Sequence, residues 1–420
     1  MRLRCDLVEQ LSEGDALWQE WQALMAKVRP GMGIFGPHWY NAWRETLGSA
    51  GRWTGCPMLV TARDEAGALV GVLPLGEQQY GPMSVFSIGG DWQPARSIVA
   101  AAAREHEIGH ALGKFVAATD WLGLRMAPCM QSAPVMQGFT AALGESRVYH
   151  RVQLHEPIAM YRAETTWDDY VTEVLGKKFN KKITYYENRL GRAGKLDIVH
   201  VRRPSADETE RLIADLGAIE RRSWLGQSED GYLRFAPALN AAMWRRLIVD
   251  ALSPADQIDA WVLYLDGAPV SFCFTLTDGD VRYVIANNYD QAVRTHRTGS
   301  TLYRRMMRDG IERGVTQFDF GGSEIHYKSR WGASYQDASQ TMLLVPNTLV
   351  SGAAKPMTRL YAQAAPQLSM IARHPHVAAL ARHPRLAPLV RHPRLAPLIR
   401  GLSLGRNLIQ AAQQHSAAIS

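Results

Sequence analysis

A short segment near residue 320 combines an apolar strand pattern, a glycine break and a group of ionisable side chains. Residues 315–320 alternate like a strand, and Gly321-Gly322 can adopt backbone angles closed to other residues. The side chains that could do chemistry lie around this break: Asp319, Glu324, His326, Tyr327, Lys328, Arg330 and Trp331. Such groups can transfer protons and stabilise developing charge. A sheet edge that is merely protected by charge is the structural alternative.

A second segment has the pattern of an anion-binding loop. It follows a predicted strand at 281–285 and opens a predicted helix at 302–314. A helix N-terminus presents unpaired N–H groups and a positive dipole, and a glycine lets a phosphate approach the backbone. We expect a pyrophosphate to bind here, at Arg294, Arg297, Thr298, Gly299, Ser300 and Thr301.

Glu220 is a candidate general base. The capping box from Ser205 to Glu208 opens a helix, and Glu220 falls on the apolar stripe of that helix. Burial would raise the pKa of Glu220 towards neutrality, which suits a base that acts on an ammonium group. The alternative is a buried ion pair, for which Arg221 and Arg222 are poorly directed.

Several other mechanisms lack their sequence signatures. The chain has no Gly-x-Ser-x-Gly elbow, HExxH, Walker loop or DxD motif, so serine, metal and nucleotide mechanisms have no support. The four cysteines are widely spread, which indicates neither a disulfide framework nor a zinc site. The N-terminus lacks the apolar core of a signal peptide. We therefore expect a cytoplasmic protein that needs no metal.

The positive charge belongs to the C-terminal tail. The formal net charge is +7, but residues 351–420 contain nine Lys and Arg and no acid, which leaves −2 for residues 1–350. A DNA-binding protein should carry its basic surface on the folded part, so DNA is not an expected partner.

The same tail contains a nine-residue repeat that begins Arg-His-Pro at 373, 382 and 391. Proline allows only short helical turns here, in which leucines share one side opposite arginines. This pattern predicts that residues 371–400 lie on an anionic membrane surface, making the protein peripheral on the inner face of the membrane. A partly disordered appendage without a partner is the alternative.

Residues 1–350 show signs of duplication. Met58 to Leu75 and Trp261 to Thr275 both have the pattern of a hairpin, and about 200 residues also separate predicted strands at 118–122 and 316–320. Two equivalent offsets predict tandem copies of one α/β module.

A long basic helix is predicted from Thr166 to Lys195, with Thr166 as its N-cap. Its cations are Lys177, Lys178, Lys181, Lys182, Arg189 and Arg192. A solvated charged face is the usual explanation, and a phosphate-bearing ligand is the alternative.

Together these segments resemble a known family. The resembling pieces are Phe35-Gly-Pro-His-Trp39 with Trp43, the basic helix, Glu220-Arg-Arg-Ser-Trp224 with Gly226, Tyr289-Asp290, Arg297 to Leu302 and Asp319 to Trp331. They resemble the GNAT-superfamily acyltransferases associated with cellulose biosynthesis (the CelD-like group). Lys328-Ser-Arg-Trp-Gly332 is also similar to an element of the Fem-type aminoacyltransferases, which build peptidoglycan bridges and carry two GNAT folds.

The resemblance implies an α/β protein of tandem GNAT folds, with mixed central sheets flanked by helices. We expect an N-terminal GNAT-like domain at residues 1–155, a catalytic GNAT domain at 156–350 and the basic repeat tail at 351–420. Acetyl-CoA or another acyl-CoA would be the co-substrate. The acceptor would be an amine of an amino sugar or of a cell-envelope or exopolysaccharide precursor. The alternatives are a Fem-type enzyme that uses aminoacyl-tRNA, which the near-neutral body disfavours, and a non-catalytic assembly factor for polysaccharide synthesis.

The resemblance and the side-chain chemistry assign a role to each site residue. Glu220 or His326 would accept the ammonium proton, Tyr327 would protonate the departing thiolate, and Asp319 would orient the site. Lys328 and Arg330 would hold an anionic part of the acceptor, and a backbone N–H of the strand at Tyr283 would stabilise the oxyanion. The residues expected to contact the acceptor are Trp224, Tyr289, Arg330 and Trp331.

Overall fold

A computed structural model of the protein describes residues 3–345, except for 52, 81–82, 90–97, 120–122, 131, 147–148, 228–232, 252–257 and 323–325. Within these residues there are thirteen strands: β1 (Arg4–Val8), β2 (Met58–Arg63), β3 (Leu69–Tyr80), β4 (Met83–Ile88), β5 (Val99–Ala100), β6 (Leu124–Met130), β7 (Tyr149–Arg162), β8 (Leu196–Arg202), β9 (Ile258–Leu265), β10 (Ala268–Asp278), β11 (Val281–Tyr289), β12 (Gln317–Gly322) and β13 (Ser334–Val345). The repeat tail lies outside the described residues, so its predicted membrane contact stays a prediction.

The described residues also form eleven α-helices: α1 (Ala16–Met25), α2 (Pro37–Glu45), α3 (Glu105–Ala118), α4 (Pro134–Glu145), α5 (Trp167–Asp169), α6 (Lys177–Gly191), α7 (Ala206–Arg222), α8 (Trp224–Gln227), α9 (Ala238–Arg246), α10 (Thr298–Glu312) and α11 (His326–Ser329). Short π-helices at Tyr170–Leu175 and Leu247–Ala251 follow α5 and α9. A 3₁₀-helix at Gln291–His296 precedes α10. In this described part, no helix is both long enough and apolar enough to cross a bilayer.

The element order repeats, as the tandem hairpins predict. The first copy runs from β1 through α1 and α2 to the strands β2, β3 and β4, and then through α3, β6 and α4 to β7. The second copy runs from β8 through α7, α8 and α9 to β9, β10 and β11, and then through α10, β12 and α11 to β13. The α/β class with two related modules is therefore confirmed.

The two copies share one sheet and exchange their last strands. The sheet order is β1-β2-β3-β4-β6-β13-β7-β12-β11-β10-β9-β8, with β5 paired to β3. Thus β7, which ends the first copy, pairs with β12 of the second, and β13 pairs with β6 of the first. Two pairs are parallel, β4 with β6 and β11 with β12, and the other observed pairs are antiparallel. The predicted domain boundary at residue 155 falls inside β7 and stays a prediction.

Side chains of the strands alternate between two faces of the sheet. On β2, Leu59 belongs to a core that both copies build, while Val60 belongs to the core of the first copy alone. On β9, Val262 belongs to the shared core and Trp261 to the core of the second copy. Because successive strand residues face opposite ways, the sheet is buried on both faces, with the shared core on one of them.

Direct contacts also join the copies. Trp39 of α2 meets Trp244 of α9 edge to face, with ring centroids 5.8 Å apart. The Tyr283 hydroxyl on β11 donates a hydrogen bond to the carbonyl of Gly31. Gly31 has a φ of +84°, and a Cβ there would lie 2.7 Å from that hydroxyl oxygen, so only glycine fits.

Three predicted elements differ from the structure. The strand predicted at 118–122 is wrong at its start, because Ala118 is the last residue of α3; residues 120–122 lie outside the described residues. The helix predicted from Thr166 to Lys195 is interrupted at Gly176, whose φ of +80° separates the π-helix from α6. The strand predicted at 281–285 continues to Tyr289 as β11.

Candidate active site

The site lies where two neighbouring parallel strands separate. Pairing between β11 and β12 covers only Val281 to Tyr283 against Gln317 to Asp319, although both strands continue. Ile285 forms a bulge in β11, since Ala286 and Val284 pair with consecutive residues of β10. We call the region between residues 284–289 of β11 and 320–322 of β12 the wedge. Bulges often occur beside active sites because they re-aim a strand and its side chains.

Asp319 stands at the closed end of the wedge. Its carboxylate accepts a hydrogen bond from the Gly321 N–H at 2.6 Å, and only 6% of the residue is exposed. Burial raises the pKa of Asp319 to about 6, although the Gly321 hydrogen bond and the charge of Lys328 oppose the rise. The carboxyl group can therefore exchange a proton near neutral pH.

Lys328 is a buried cation that binds the backbone of the two glycines at the end of β12. Its Nζ donates to the carbonyl oxygens of Gly321, at 3.2 Å, and Gly322, at 2.6 Å. Only 3% of Lys328 is exposed, because α11 turns it back under the end of β12. The structure thus brings Asp319 and Lys328 together, as the sequence predicted.

Tyr327 extends the site through a second tyrosine. Its hydroxyl lies 3.4 Å from that of Tyr303 on α10, and two-fifths of Tyr327 remains exposed. Burial raises the pKa of both hydroxyl groups above the ordinary value of 10. The buried Cys273 is close enough to influence them, and burial raises the pKa of its own thiol to about 12. The sequence did not identify Tyr303 as a site residue. Its position on α10, the helix that begins at the predicted anion site, could have indicated it.

Glu220 is fully buried, as its place on the apolar stripe predicts. Its carboxylate accepts three backbone hydrogen bonds, from the N–H groups of Arg234, Phe235 and Ala236, at 2.7 to 3.0 Å. Desolvation raises the pKa of Glu220, and the three hydrogen bonds oppose the rise. Through these hydrogen bonds, Glu220 holds residues 234–236, which precede α9, against α7. Its role as a general base stays a prediction.

The start of α10 fits the predicted anion site. Arg297 adopts left-handed angles, with φ at +50°, between the 3₁₀-helix and α10, and its guanidinium lies 5.5 Å from the Tyr186 ring centre. Thr298 is 1% exposed, and its hydroxyl has no hydrogen-bond partner in the described structure. Leaving a buried hydroxyl unpaired is costly. The Ser300 N–H already donates to the Arg297 carbonyl at 2.9 Å, so the unpaired Thr298 hydroxyl is the group at this helix start that fits a phosphate oxygen.

Side chains on neighbouring elements border the predicted anion site. Asn287 of β11 lies so close to Gly299 that a Cβ there would be 3.0 Å from its Oδ1. Asp290 caps the 3₁₀-helix by accepting from the Ala292 N–H at 2.9 Å, and the Arg222 guanidinium donates to Asp290 at 2.5 Å. The Arg222 to Asp290 pair thus ties the end of α7 to the anion site, a role that the sequence did not reveal.

The other predicted residues lie around this centre. Trp331 is 2% exposed and packs on Tyr303 and Phe179, so its observed contacts are those of a core residue. Arg330 is exposed above the Phe179 ring, while Trp224 and Tyr289 are half-buried. Contact of these residues with the acceptor stays a prediction. The side chains of Glu324 and His326 lie outside the described part of the structure.

A cluster of His200, Asp259 and Asp309 places three possible metal-ligating atoms within 4.8 Å of one another. Both carboxylates, however, already bind guanidinium groups at 2.8 to 3.3 Å. The donors are Arg202, Arg282 and Arg313. A divalent cation would have to displace three positive charges, so we interpret the cluster as an ion-pair network that joins β8, β9, β11 and α10.

Comparison with known proteins agrees with this geometry. Residues 177–329 match the family described as "Acetyltransferase (GNAT) domain". This acetyltransferase-like region contains the wedge, the anion site and Lys328, and covers less than half of the chain. No curated protein matches the sequence. The narrower resemblance to the cellulose-biosynthesis group therefore stays a prediction.

Solved structures match over most of the chain. FemX has a TM-score of 0.55 at 12% identity, over 84% of this chain and 99% of its own, which establishes a common fold. A tandem GNAT protein from the clavulanic acid biosynthesis pathway scores 0.46 at 13% identity, over 81% of this chain and 98% of its own. L-PGS from Bacillus licheniformis scores 0.46 at 12% identity, over 81% and 96%. Because the TM-scores of the last two structures are below 0.5, we draw no conclusion from them.

Proposed function

We propose that the protein is an acyltransferase that moves an acyl group, such as acetyl, from coenzyme A to an amine. The acceptor is an amino sugar or a similar precursor of the cell envelope or an exopolysaccharide. The observation that carries the proposal is the wedge, because β11 pairs with Asp319 at Tyr283 and leads from its other end, through the 3₁₀-helix at Gln291–His296, to the predicted anion site at Thr298. One continuous path thus joins proton-transfer groups to a phosphate-binding helix start.

The chain offers a group for each part of the donor. Thr298, Arg294, Arg297 and the first N–H groups of α10 would hold the pyrophosphate. Beyond Tyr283, the edge of β11 that faces the wedge has no strand partner among the described residues. Its backbone could therefore form hydrogen bonds with the amide groups of the coenzyme A chain. Coenzyme A would supply the acyl group as an activated thioester.

Proton transfer would use the groups at the closed end. Asp319, or His326 as predicted from the sequence, would take the proton that the acceptor ammonium loses, through water. The Tyr327 hydroxyl, which carries its proton at neutral pH, would give a proton to the leaving thiolate. The Lys328 charge would stabilise negative charge that develops beside Gly321.

A second candidate is an aminoacyl-tRNA-dependent transferase of the Fem type. The observation in its favour is the exposed row of cations on α6, which could meet a nucleic acid backbone. The near-neutral charge of residues 1–350 counts against it.

Calorimetric titration of Thr298→Val with acetyl-CoA tests the proposal. The variant keeps the shape of the side chain and removes only the unpaired hydroxyl. We expect the acetyl-CoA Kd to rise by about 10-fold, as for the loss of one hydrogen bond to a charged group, with stability unchanged or slightly increased.

Thr209→Val is the matched control, because the Thr209 hydroxyl is buried and donates to the Ser205 carbonyl at 2.8 Å. It should lose about 1 kcal/mol of stability and bind acetyl-CoA normally. Wild-type protein that is stabilised by aminoacyl-tRNA but not by any acyl-CoA would support the second candidate and exclude the first.

A further inference from the structure

One exposed side of α6 and its C-cap carries a row of positive charge. The row follows one side of the helix at steps of three and four residues, over a length of about 22 Å. We call it the α6 ridge; it consists of Lys177, Lys178, Lys181, Lys182, Arg189 and Arg192, all of them exposed, with Tyr185 in the middle. Tyr185 is 58% exposed, which is unusual for a large aromatic side chain.

No carboxylate of the described residues is paired with the α6 ridge. Glu187 is the only acid in the helix, and it faces α10, where Arg304 and Arg305 bind it at 2.6 and 2.5 Å. Ile183 and Leu190 are buried on the inner side. Among the described residues, no acid pairs with the six cations of the ridge. Like charges at these spacings destabilise a helix, so an external anion would relieve them.

We propose that the α6 ridge is a docking surface for an anionic lipid bilayer. A cluster of four to eight Lys and Arg on an amphipathic helix has the charge that attracts acidic lipids. Because the apolar side of α6 is buried in the protein, the ridge adsorbs by charge and does not insert a hydrophobic face. Tyr185 has the amphipathic ring that favours the membrane interface.

The shape of the ridge favours a bilayer over a nucleic acid strand. A plane can touch a straight, outward-facing helix along its whole length. Non-specific binding of single strands instead combines a positive groove with a series of aromatic rings that stack on successive bases. On its exposed side α6 offers one such ring, Tyr185.

Co-sedimentation of the full-length protein with vesicles tests the proposal. The vesicles contain phosphatidylcholine, either alone or with one third phosphatidylglycerol. The ridge variant combines Lys177→Gln, Lys178→Gln, Lys181→Gln and Lys182→Gln, which preserves helix propensity. We expect wild-type binding to require phosphatidylglycerol and to weaken with salt, and the ridge variant to bind at least about 10-fold more weakly.

A control variant loses the same charge elsewhere, through Lys27→Gln, Lys114→Gln, Arg211→Gln and Arg245→Gln. Circular dichroism verifies that both variants fold. The proposal predicts vesicle binding of the control within about two-fold of wild type, since its lost charges lie off the ridge. Equal losses in both variants, or wild-type binding by the ridge variant, would overturn the proposal. Unchanged vesicle binding with lost binding to an RNA homopolymer would assign the ridge to RNA instead.

Discussion

At residue 220, a carboxylate sits inside the shared core and organises a loop. The Glu220 carboxylate accepts hydrogen bonds from three N–H groups, of which that of Phe235 is buried and those of Arg234 and Ala236 are partly buried, and all three would lose this partner without it. We therefore expect Glu220→Gln, which turns an acceptor into a donor, to lower the free energy of unfolding by about 2–4 kcal/mol in urea titrations.

Glu208→Gln is the matched control for Glu220→Gln on the same helix. The Glu208 carboxylate accepts from the Ser205 N–H at 2.8 Å in an exposed capping box, so its loss should cost about 1 kcal/mol or less. A Glu220→Gln protein that keeps its stability but loses turnover would restore Glu220 as the general base.

Asp319 makes stability depend on pH in an unusual direction. Its folded pKa of about 6 lies above the ordinary value of 3.8, so the folded protein binds this proton more tightly than the unfolded chain. The contribution is therefore present below pH 4 and is lost as the pH rises to 6. We expect the stability of wild type relative to Asp319→Asn to fall by up to about 3 kcal/mol over that range, measured by urea unfolding at each pH. A constant difference between pH 4 and 7 would mean that Asp319 titrates normally.

The sequence predicted which side chains meet when they are close along the chain. It did not predict contacts between residues of different elements. Lys328 and Tyr327 follow Asp319 in the same short segment, nine and eight residues later, so their proximity could be predicted. The partners of Glu220 come from a loop 14 to 16 residues away, and nothing in the local pattern indicates them. Tyr303 meets Tyr327 only because α10 and α11 pack together.

At the scale of elements, Gly176 and Gly191 mark the two ends of α6. A Cβ at either glycine would meet no atom within 4 Å, but only Gly176 has a positive φ, +80°. Gly176→Ala should therefore lower the free energy of unfolding by about 1 kcal/mol through backbone strain alone. Gly191→Ala should raise it by up to about 1 kcal/mol, because alanine favours the helix. Changes of the same sign in thermal or urea unfolding would contradict this account of the break.

Hairpins and caps were the elements that sequence located best. The turn at Asp266-Gly267 has both residues at positive φ, +50° and +80°, as a two-residue hairpin with an Asp-Gly turn requires. The capping box at Ser205 and Glu208 is formed. By contrast, the pattern at 118–122 could not show that α3 continues to Ala118, because so short a segment suits a strand or a helix end equally.

At the scale of the whole molecule, strand exchange makes the two copies interdependent. Each copy supplies the last strand of the other's half of the sheet, through β7 and β13. Hairpin spacing could predict two copies, but not this pairing, since antiparallel partners far apart in sequence leave no local signal. The shared core adds Trp39 and Trp244 to the same interface.

The duplication also raises the question of how many donor sites one chain holds. In the first copy, α3 corresponds to α10, but its first turn carries Glu105 and Glu107. Glu105 pairs with Arg29 at 3.3 Å, and Glu107 with Arg104 at 2.6 Å. Acidic side chains stabilise a helix N-terminus and repel a phosphate there. The first turn of α10 has no acid and contains the unpaired Thr298 hydroxyl.

We therefore expect calorimetry of the full-length protein to find one acetyl-CoA site per chain. Glu105→Gln should leave that stoichiometry and the affinity unchanged, because it alters only the first copy, whereas Thr298→Val should weaken the single site. Two equivalent sites in the wild type would show that the acidic helix start of the first copy does not prevent donor binding. A single site that Glu105→Gln weakens and Thr298→Val does not would place the donor in the first copy.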